Sequence, residues 1–159
     1  MKHLPKHLRP RWRYLAIGIE SWPDADVGRS DFQRHLWYAA QNLFGDPASA
    51  DLDLTVIQFE LRDGQGSAIV RTRRGEVDRA RAAVACLAEI DGDELGVRVR
   101  GVSGTVRACE EKYLRTHPES TDQRTVTFEG DERTAVVRDG RYDVPVDSSF
   151  AGATELDFE

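Results

Sequence analysis

The sequence predicts an α+β sandwich with the split order β-α-β-β-α-β, followed by one further helix and an acidic tail. Three observations predict it. Segments of period-two apolar alternation come in turn with segments of helical apolar spacing. A four-residue turn, Asp63-Gly64-Gln65-Gly66, joins the second and third strands as a hairpin. Gly45 with Pro47, Gly75, and Ser103-Gly104 mark the remaining boundaries.

Arg11 to Glu20 reads as the first strand. Leu15, Ile17 and Ile19 alternate with Tyr14, Ala16 and Gly18, and Pro10 is tolerable just before a strand. After a loop with Pro23 and Gly28, Ser30 reads as a helix cap and Gln33, three residues on, completes a capping box. Phe32, Leu36, Ala39, Ala40 and Leu43 form its apolar stripe, and Gly45 and Pro47 stop it. Leu52 to Arg62 is the second strand; its imperfect alternation suggests a bulge or burial on both sides. Ser67 to Arg73 is the third. A second helix runs from beyond Gly75 to about Ile90, buried through Val77, Ala80, Val84, Leu87 and Ala88, with Asp91-Gly92-Asp93 as its end. Leu95 to Val102 is the fourth strand, with Val97 and Val99 on one face and Arg98 and Arg100 on the other. Thr105 to about Leu114 is the third helix. This order is that of ferredoxin-like, RNA-recognition-motif-like sandwiches, in which two helices cover one face of a four-stranded sheet and the other stays open. The fold also hosts metabolite sensors and enzymes, so it does not decide function.

The division expected is residues 1–116 for this domain, with a basic N-terminal arm, and 117–159 for an acidic extension. Val126–Phe128 and Thr134–Val137 pair as a marginal hairpin across Glu129-Gly130-Asp131, and Asp147 to Glu159 is expected to be mobile.

Net charge is −6, but its distribution says more. Residues 1–13 carry Lys2, Lys6, Arg9, Arg11 and Arg13 with no acid. From Thr116 onward eleven acids face Arg124, Arg133, Arg138 and Arg141, which leaves 18 basic and 17 acidic residues before it. The acidic excess belongs to the tail, and such asymmetry hints at nucleic-acid contact. Lys2, Lys6 and Lys112 are the only lysines; the other nineteen cations are arginines. That bias resembles proteins of cells that hold molar salt, and a GC-rich genome gives the same bias. No apolar run approaches the ~20 residues of a membrane span, and no apolar segment follows the basic N-terminus as in a signal peptide. A cytoplasmic protein is expected. Cys86 and Cys109 both fall in predicted helices and read as buried small residues. His3, His7, His35 and His117 are scattered, without zinc-ligand spacing.

Several groups of residues could bind a polyanion. The N-terminal arm, with Trp12 and Tyr14 close by, could track a phosphate backbone; the alternative is a solvated tail. If Leu15, Ile17, Ile19, Val70, Val97 and Val99 face the helices, then Tyr14, Arg71, Arg73, Arg98 and Arg100 share the open face. Arginine suits RNA through phosphate forks and stacking; the alternative is cross-strand pairing with Glu20 or Glu60. Arg79 and Arg81 sit three residues after Glu76 and Asp78 and read as helix ion pairs. Ser103-Gly104-Thr105-Val106-Arg107 opens a helix with an arginine in its first turn. That could attract a phosphate or be an ordinary cap made by Thr105. There is no phosphate-binding glycine loop, nucleophile motif or spaced carboxylate pair, so no protein active site is expected.

Three segments together resemble one family. They are Arg13-Tyr14-Leu15; Gly66-Ser67-Ala68-Ile69-Val70-Arg71-Thr72-Arg73-Arg74; and Val102-Ser103-Gly104-Thr105-Val106-Arg107-Ala108-Cys109 with Lys112-Tyr113-Leu114 behind it. In this order and spacing the chain resembles ribonuclease P protein component 2, an archaeal family with a eukaryotic counterpart. The resemblance covers roughly residues 4–116. It implies a ferredoxin-like fold and a ribonucleoprotein endonuclease, a hydrolase whose RNA subunit removes the 5′ leader of precursor tRNA with magnesium bound to the RNA. The chain would be a non-catalytic subunit binding no cofactor of its own. Its partners would be ribonuclease P RNA and other protein subunits, especially one with a TIM-barrel-like fold, with precursor tRNA met indirectly and no membrane. Arg13, Arg71, Arg73, Arg74 and Arg107 are the RNA contacts that the resemblance implies. With the arm and sheet face, the candidate set is Lys6, Arg9, Arg11, Arg13, Tyr14, Arg71, Arg73, Arg74, Arg98, Arg100, Gly104, Thr105 and Arg107. The other readings are a stand-alone single-strand RNA binder, a small-molecule regulatory module and a structural assembly factor. The first needs aromatics on the third strand, where Ser67 to Arg73 has none.

Overall fold

A computed structural model describes residues 4–115, 122–138, 140–147 and 149–158. The chain divides into two compact units, Met1–His117 and Pro118–Glu159.

The first unit is a mixed helix and strand fold around one antiparallel sheet. In chain order it has β1 (Trp12–Ser21), α1 (Arg29–Phe44), α2 (Asp46–Leu52), β2 (Thr55–Arg62), β3 (Gln65–Arg73), α3 (Val77–Ala85), β4 (Glu89–Ile90), β5 (Asp93–Ser103) and α4 (Val106–Cys109). A π turn, Glu110–Leu114, continues α4. The strand order is β2-β3-β1-β5-β4. β1 lies at the centre, paired with β3 and β5. Its alternation is expressed as foreseen: Leu15, Ile17 and Ile19 enter a core with Phe32, Leu36 and Ala40 of α1, Ala80, Ala83 and Val84 of α3, and Val56 and Val70 of the flanking strands. Each large aliphatic side chain buried there contributes about 1.5–3 kcal/mol.

α1 is tied to the start of β2 by three side chains: the Arg29 guanidinium donates to the Val56 carbonyl at 2.6 Å, the Trp37 indole N–H donates to the Leu54 carbonyl at 2.8 Å, and Gln33 bonds twice. The Gln33 amide donates to the Leu54 carbonyl at 3.2 Å and accepts from the Val56 N–H at 2.7 Å. The residue expected to complete a capping box is therefore turned inward. The helix start is capped instead by Asp31, whose carboxylate accepts from the Gly28 N–H at 3.3 Å.

Other boundaries differ from expectation for local reasons. Gly45 and Pro47 stop α1 but also start α2, because proline suits a first helical turn; β2 consequently begins at Thr55 and not Leu52. α3 ends at Ala85, and Asp91-Gly92 forms a hairpin turn between β4 and β5. Both turn residues have positive φ, 51° and 95°, which Asp and Gly adopt most easily. Cys86 is accordingly exposed, while Cys109 is buried.

The sheet's second face is not open. α4 and its π turn lie on it, and Cys109 is packed with Ala16 and Ile69, flanked by Tyr14, Ile57, Val106, Tyr113 and Leu114. The close approach is made at Gly101, where an added Cβ would stand 2.2 Å from the Tyr113 ring.

The second unit is a sheet in the order β6-β7-β8-β9, with β6 (Asp122–Phe128), β7 (Asp131–Arg138), β8 (Arg141–Val146) and β9 (Ser149–Ala153). The Glu129-Gly130 turn joins β6 to β7 as a hairpin, but residues 126–128 pair with 131–133 and not with the expected 134–137, which lie against 122–125. The stretch expected to be mobile instead supplies β9 and a 3₁₀ turn, Glu155–Asp157. Ala135, Val137, Tyr142, Val144 and Ala153 form a core of its own. Phe158 closes it edge-on against Tyr142, with ring centroids 4.6 Å apart. Arg138 is buried and pairs with Asp143.

Candidate nucleic-acid interface

Antiparallel pairing brings the start of β1 beside the ends of β3 and β5. Trp12 is opposite Arg73, Tyr14 opposite Arg71, and Tyr14 also opposite Ser103. One end of the first unit therefore gathers most of the cations expected from the sequence. Lys6 lies in an exposed 3₁₀ turn, Lys6–Leu8. Arg9 and Arg11 follow, both exposed, and Arg9 folds back to donate to the Leu4 carbonyl at 2.8 Å. The Arg11 carbonyl accepts from the Arg74 N–H at 2.9 Å, which fastens the arm to the end of β3.

Arg13 has its Cα partner in Thr72, on the helix side. Its guanidinium nonetheless donates to the Trp12 carbonyl at 2.9 Å and lies 3.9 Å from where a Gly104 Cβ would be. Arg13 and the Ser103-Gly104-Thr105 turn thus meet. Thr105 caps α4, its hydroxyl accepting from the Ala108 N–H at 3.1 Å, so the ordinary-cap alternative holds for that residue. Arg107 projects outward and pairs with Glu111 at 2.8 Å.

The residue that the candidate set lacks is Trp12. The Arg71 guanidinium lies over its ring, Cζ 4.0 Å from the centroid, and the Arg73 Cζ is 5.2 Å away. Arg73 also reaches Asp53 at 3.3 Å. Strand alternation alone puts Trp12 on the same face as Tyr14, Arg71 and Arg73, so the signal was in the sequence. Tyr14, by contrast, is packed against the small core beneath α4, and its carbonyl accepts from the Cys109 thiol at 3.0 Å. Burial pushes that thiol's pKa up.

Arg98 and Arg100 are on the expected face but not in this group. Arg98 is opposite Gly18, four residues along β1 from Tyr14, about 13 Å at the rise of a strand. Arg100 lies across Gly18, where an added Cβ would come within 2.6 Å of its Nε. The Ala16–Ile69–Cys109 cluster under α4 occupies the space between. The continuous cationic sheet expected from alternation is therefore two patches divided by a helix. The alternative pairing of these arginines with Glu20 or Glu60 is not seen among the described residues; Glu60 pairs with Arg62. Arg79 pairs with Glu76 at 3.5 Å, as the helix spacing suggested.

Among the described residues, no three His, Cys, Asp or Glu side chains come together as a set that could hold a metal ion. No helix among them is long and apolar enough to cross a membrane.

Comparison with known proteins agrees with the segments singled out above. Residues 13–114 match the Rpp14/Pop5 family. Ribonuclease P protein component 2 of Haloarcula marismortui is 64% identical over 160 residues, covering 99% of each chain. Its counterpart in Halorubrum lacusprofundi is 62% identical over 159 residues and covers both chains completely. A chain in the cryo-EM structure of yeast ribonuclease MRP is 17% identical, with a TM-score of 0.46 over 74% of this chain and 85% of that one. The match over residues 13–114, with end-to-end identity to the component 2 proteins, makes this chain a member of the Rpp14/Pop5 family of ribonuclease P proteins.

Proposed function

We propose that the chain works as a non-catalytic, RNA-binding subunit of ribonuclease P, holding the catalytic RNA while that RNA removes the 5′ leader of precursor tRNA in the cytoplasm. The observation that carries this reading is the gathering of Lys6, Arg9, Arg11, Arg13, Arg71, Arg73, Arg74 and Arg107 with Gly104 and Thr105 at one end of the sheet. The sheet order, with β1 between β3 and β5, supports the ferredoxin-like form of the fold within that reading.

The physical role follows from repulsion. RNA folded tightly around its magnesium ions crowds its phosphates, and protein cations lower that cost. In cells with molar salt the Debye length falls to about 3 Å, so long-range attraction is nearly lost. Affinity then rests on short-range forks and stacking, which arginine provides better than lysine. Magnesium belongs to the RNA in this scheme. Other protein subunits, including one with a TIM-barrel-like fold, would share the assembly. Arg98 and Arg100, set apart on the far side of α4, are free to serve such a partner or a second RNA segment.

The test is precursor-tRNA cleavage by the cognate ribonuclease P RNA and its other protein subunits, with and without this chain, across a magnesium titration at high salt. The chain should shift the magnesium requirement down, and Arg73→Ala or Arg107→Ala should weaken the shift. Cleavage indifferent to the chain at every magnesium concentration overturns the reading.

A further inference from the structure

We infer that Trp12 is a positioning residue: it holds Arg71 and Arg73 as a paired, partly dehydrated guanidinium clamp for an RNA phosphate. This rests on the ribonuclease P reading above and names the side chains that make its RNA contact insensitive to salt.

The geometry is specific. Trp12 and Arg73 are register partners on adjacent strands, and Arg71 is one pleat along on the same face. The Arg71 Cζ lies over the indole, 4.0 Å from the ring centroid, and the Arg73 Cζ is 5.2 Å from it. Stacking on an aromatic face removes water from a guanidinium but leaves its in-plane donors pointing outward.

The two arginines differ in what else they touch. Arg73 has a counter-ion, Asp53, at 3.3 Å, with both side chains well exposed. Arg71 has no acidic partner among the described residues. Besides the indole it has the Thr55 hydroxyl 3.5 Å from Nη2, and its Nε is buried with no acceptor among the described residues. A buried donor without an acceptor calls for an explanation. A half-buried guanidinium with no acidic partner is poised for an anion, and a diester phosphate offers oxygens that its exposed donors can match. The surroundings supply further positive charge: Arg74 is fastened to Arg11, and Arg13 meets the Gly104 turn at the same end of the sheet.

Salt tolerance follows from this design. Contacts that depend on counterion release weaken linearly in log salt. An arginine whose water is already displaced by an indole keeps its fork when screening is complete. Trp12 contributes no charge, so its removal should lower affinity without changing the number of ions released. Arg71→Ala removes both the fork and one released ion.

The experiment measures binding of the full chain to its own ribonuclease P RNA, from about 0.5 to about 3 M KCl, a range over which the Debye length falls from about 4 Å to about 2 Å. Trp12→Ala and Arg71→Ala should each weaken binding about tenfold at the highest salt, and Trp12→Ala should leave the log–log salt slope unchanged. In an Arg71→Ala/Arg73→Ala background, adding Trp12→Ala should weaken binding no further, because the indole acts through those two guanidiniums. Trp12→Phe should retain most of the affinity. Arg71→Lys, which keeps the charge but not the plane, should behave like Arg71→Ala; these two milder variants carry the test if alanine at 12 unfolds the strand. A further loss from Trp12→Ala in that background would show Trp12 touching RNA itself and overturn its positioning role. Unchanged binding by all four single variants overturns the clamp while leaving the ribonuclease P reading intact. Failure of the parent chain to bind the RNA strikes that reading instead.

Discussion

Substituting Gly101 by alanine tests the covering of the sheet's second face. The new methyl carbon would stand 2.2 Å from Cζ of Tyr113, 2.3 Å from Cε1 and 2.6 Å from Cε2. Carbon atoms rest at about 3.5–4.0 Å. The ring must therefore retreat by roughly 1.3 Å or more, a distance set by that contact range. Tyr113 cannot swing freely, because it is carried on the π turn whose preceding helix is anchored through Cys109 against Ala16 and Ile69. Overpacking of this kind costs about 1–3 kcal/mol. For a unit of this size each kcal/mol lowers the melting temperature by roughly 4 °C, so a fall of about 4–12 °C is expected. Thermal melts at fixed high salt measure it. The Gly101→Ala/Tyr113→Ala double variant should be no less stable than Tyr113→Ala alone, since the second change removes the obstacle to the first. A Gly101→Ala protein melting within about 1 °C of the parent, on the same scale, would refute the account of α4 seated on the sheet.

Other outcomes follow from features already described. A maleimide should modify Cys86 quickly and Cys109 only after denaturation, because Cys109 is buried and its thiol pKa is raised; two fast thiols in the native protein contradict this. The raised pKa also sets a sign. The folded state keeps the Cys109 proton to higher pH than the unfolded chain does, so the stability is fully present below the unfolded thiol's pKa and is lost as pH climbs through the raised one. Cys109→Ala should therefore show a flatter alkaline decline in denaturant midpoint, and parallel curves count against the assignment. Gly66→Ala should destabilise far more than Gly18→Ala, because the first Cβ meets the Glu60 backbone oxygen at 1.9 Å and the second only the movable Arg100 side chain at 2.6 Å; equal melting temperatures refute that ranking. Ending the chain at His117 removes eleven acids against four arginines and should raise binding to unrelated RNA; unchanged binding removes any screening role for the second unit.

Much of the first unit is written in local pattern. The alternation of Leu15, Ile17 and Ile19, the Asp63-Gly64 turn and the valines of β5 each reflect a side-chain period that the sheet enforces. What failed did so for identifiable reasons. Leu87 and Ile90 are buried and continue a helical period, so they masked a hairpin signal at Asp91-Gly92 that is stronger than the period. The open face was inferred from fold class, although Ala16 and Ile69 were apolar residues placed on it by the same alternation, and Gly101 joins them only through the β5 bulge after Val99, a register feature the alternation does not show. Those two apolar residues announced a lid that a fold analogy does not supply. In the second unit, Ala135 with Val137 and Tyr142 with Val144 alternate over stretches short enough to look marginal. Their stability comes from four strands sharing one small core, which no pairwise reading of hairpins reveals. Trp12 was noticed for its proximity to the arm but not for its face, and the stacking of Arg71 depends on register, a long-range property.

The central place of β1 has a consequence for how the chain is made. Its most apolar stretch, Leu15 to Ile19, needs β5 as one of its two neighbours, and β5 is complete only at Ser103. About eighty residues must emerge after Ile19 before that partner exists, which at ribosomal speeds of about 5–20 residues per second is roughly 4–16 s. For that interval half of the sheet's middle strand has an unfilled edge. The second unit has no such wait: each of its strands pairs with the one just synthesised. The acidic sheet at the C-terminus can thus form almost as it leaves the ribosome, while the larger unit, begun first, is the one whose sheet stays incomplete for longest.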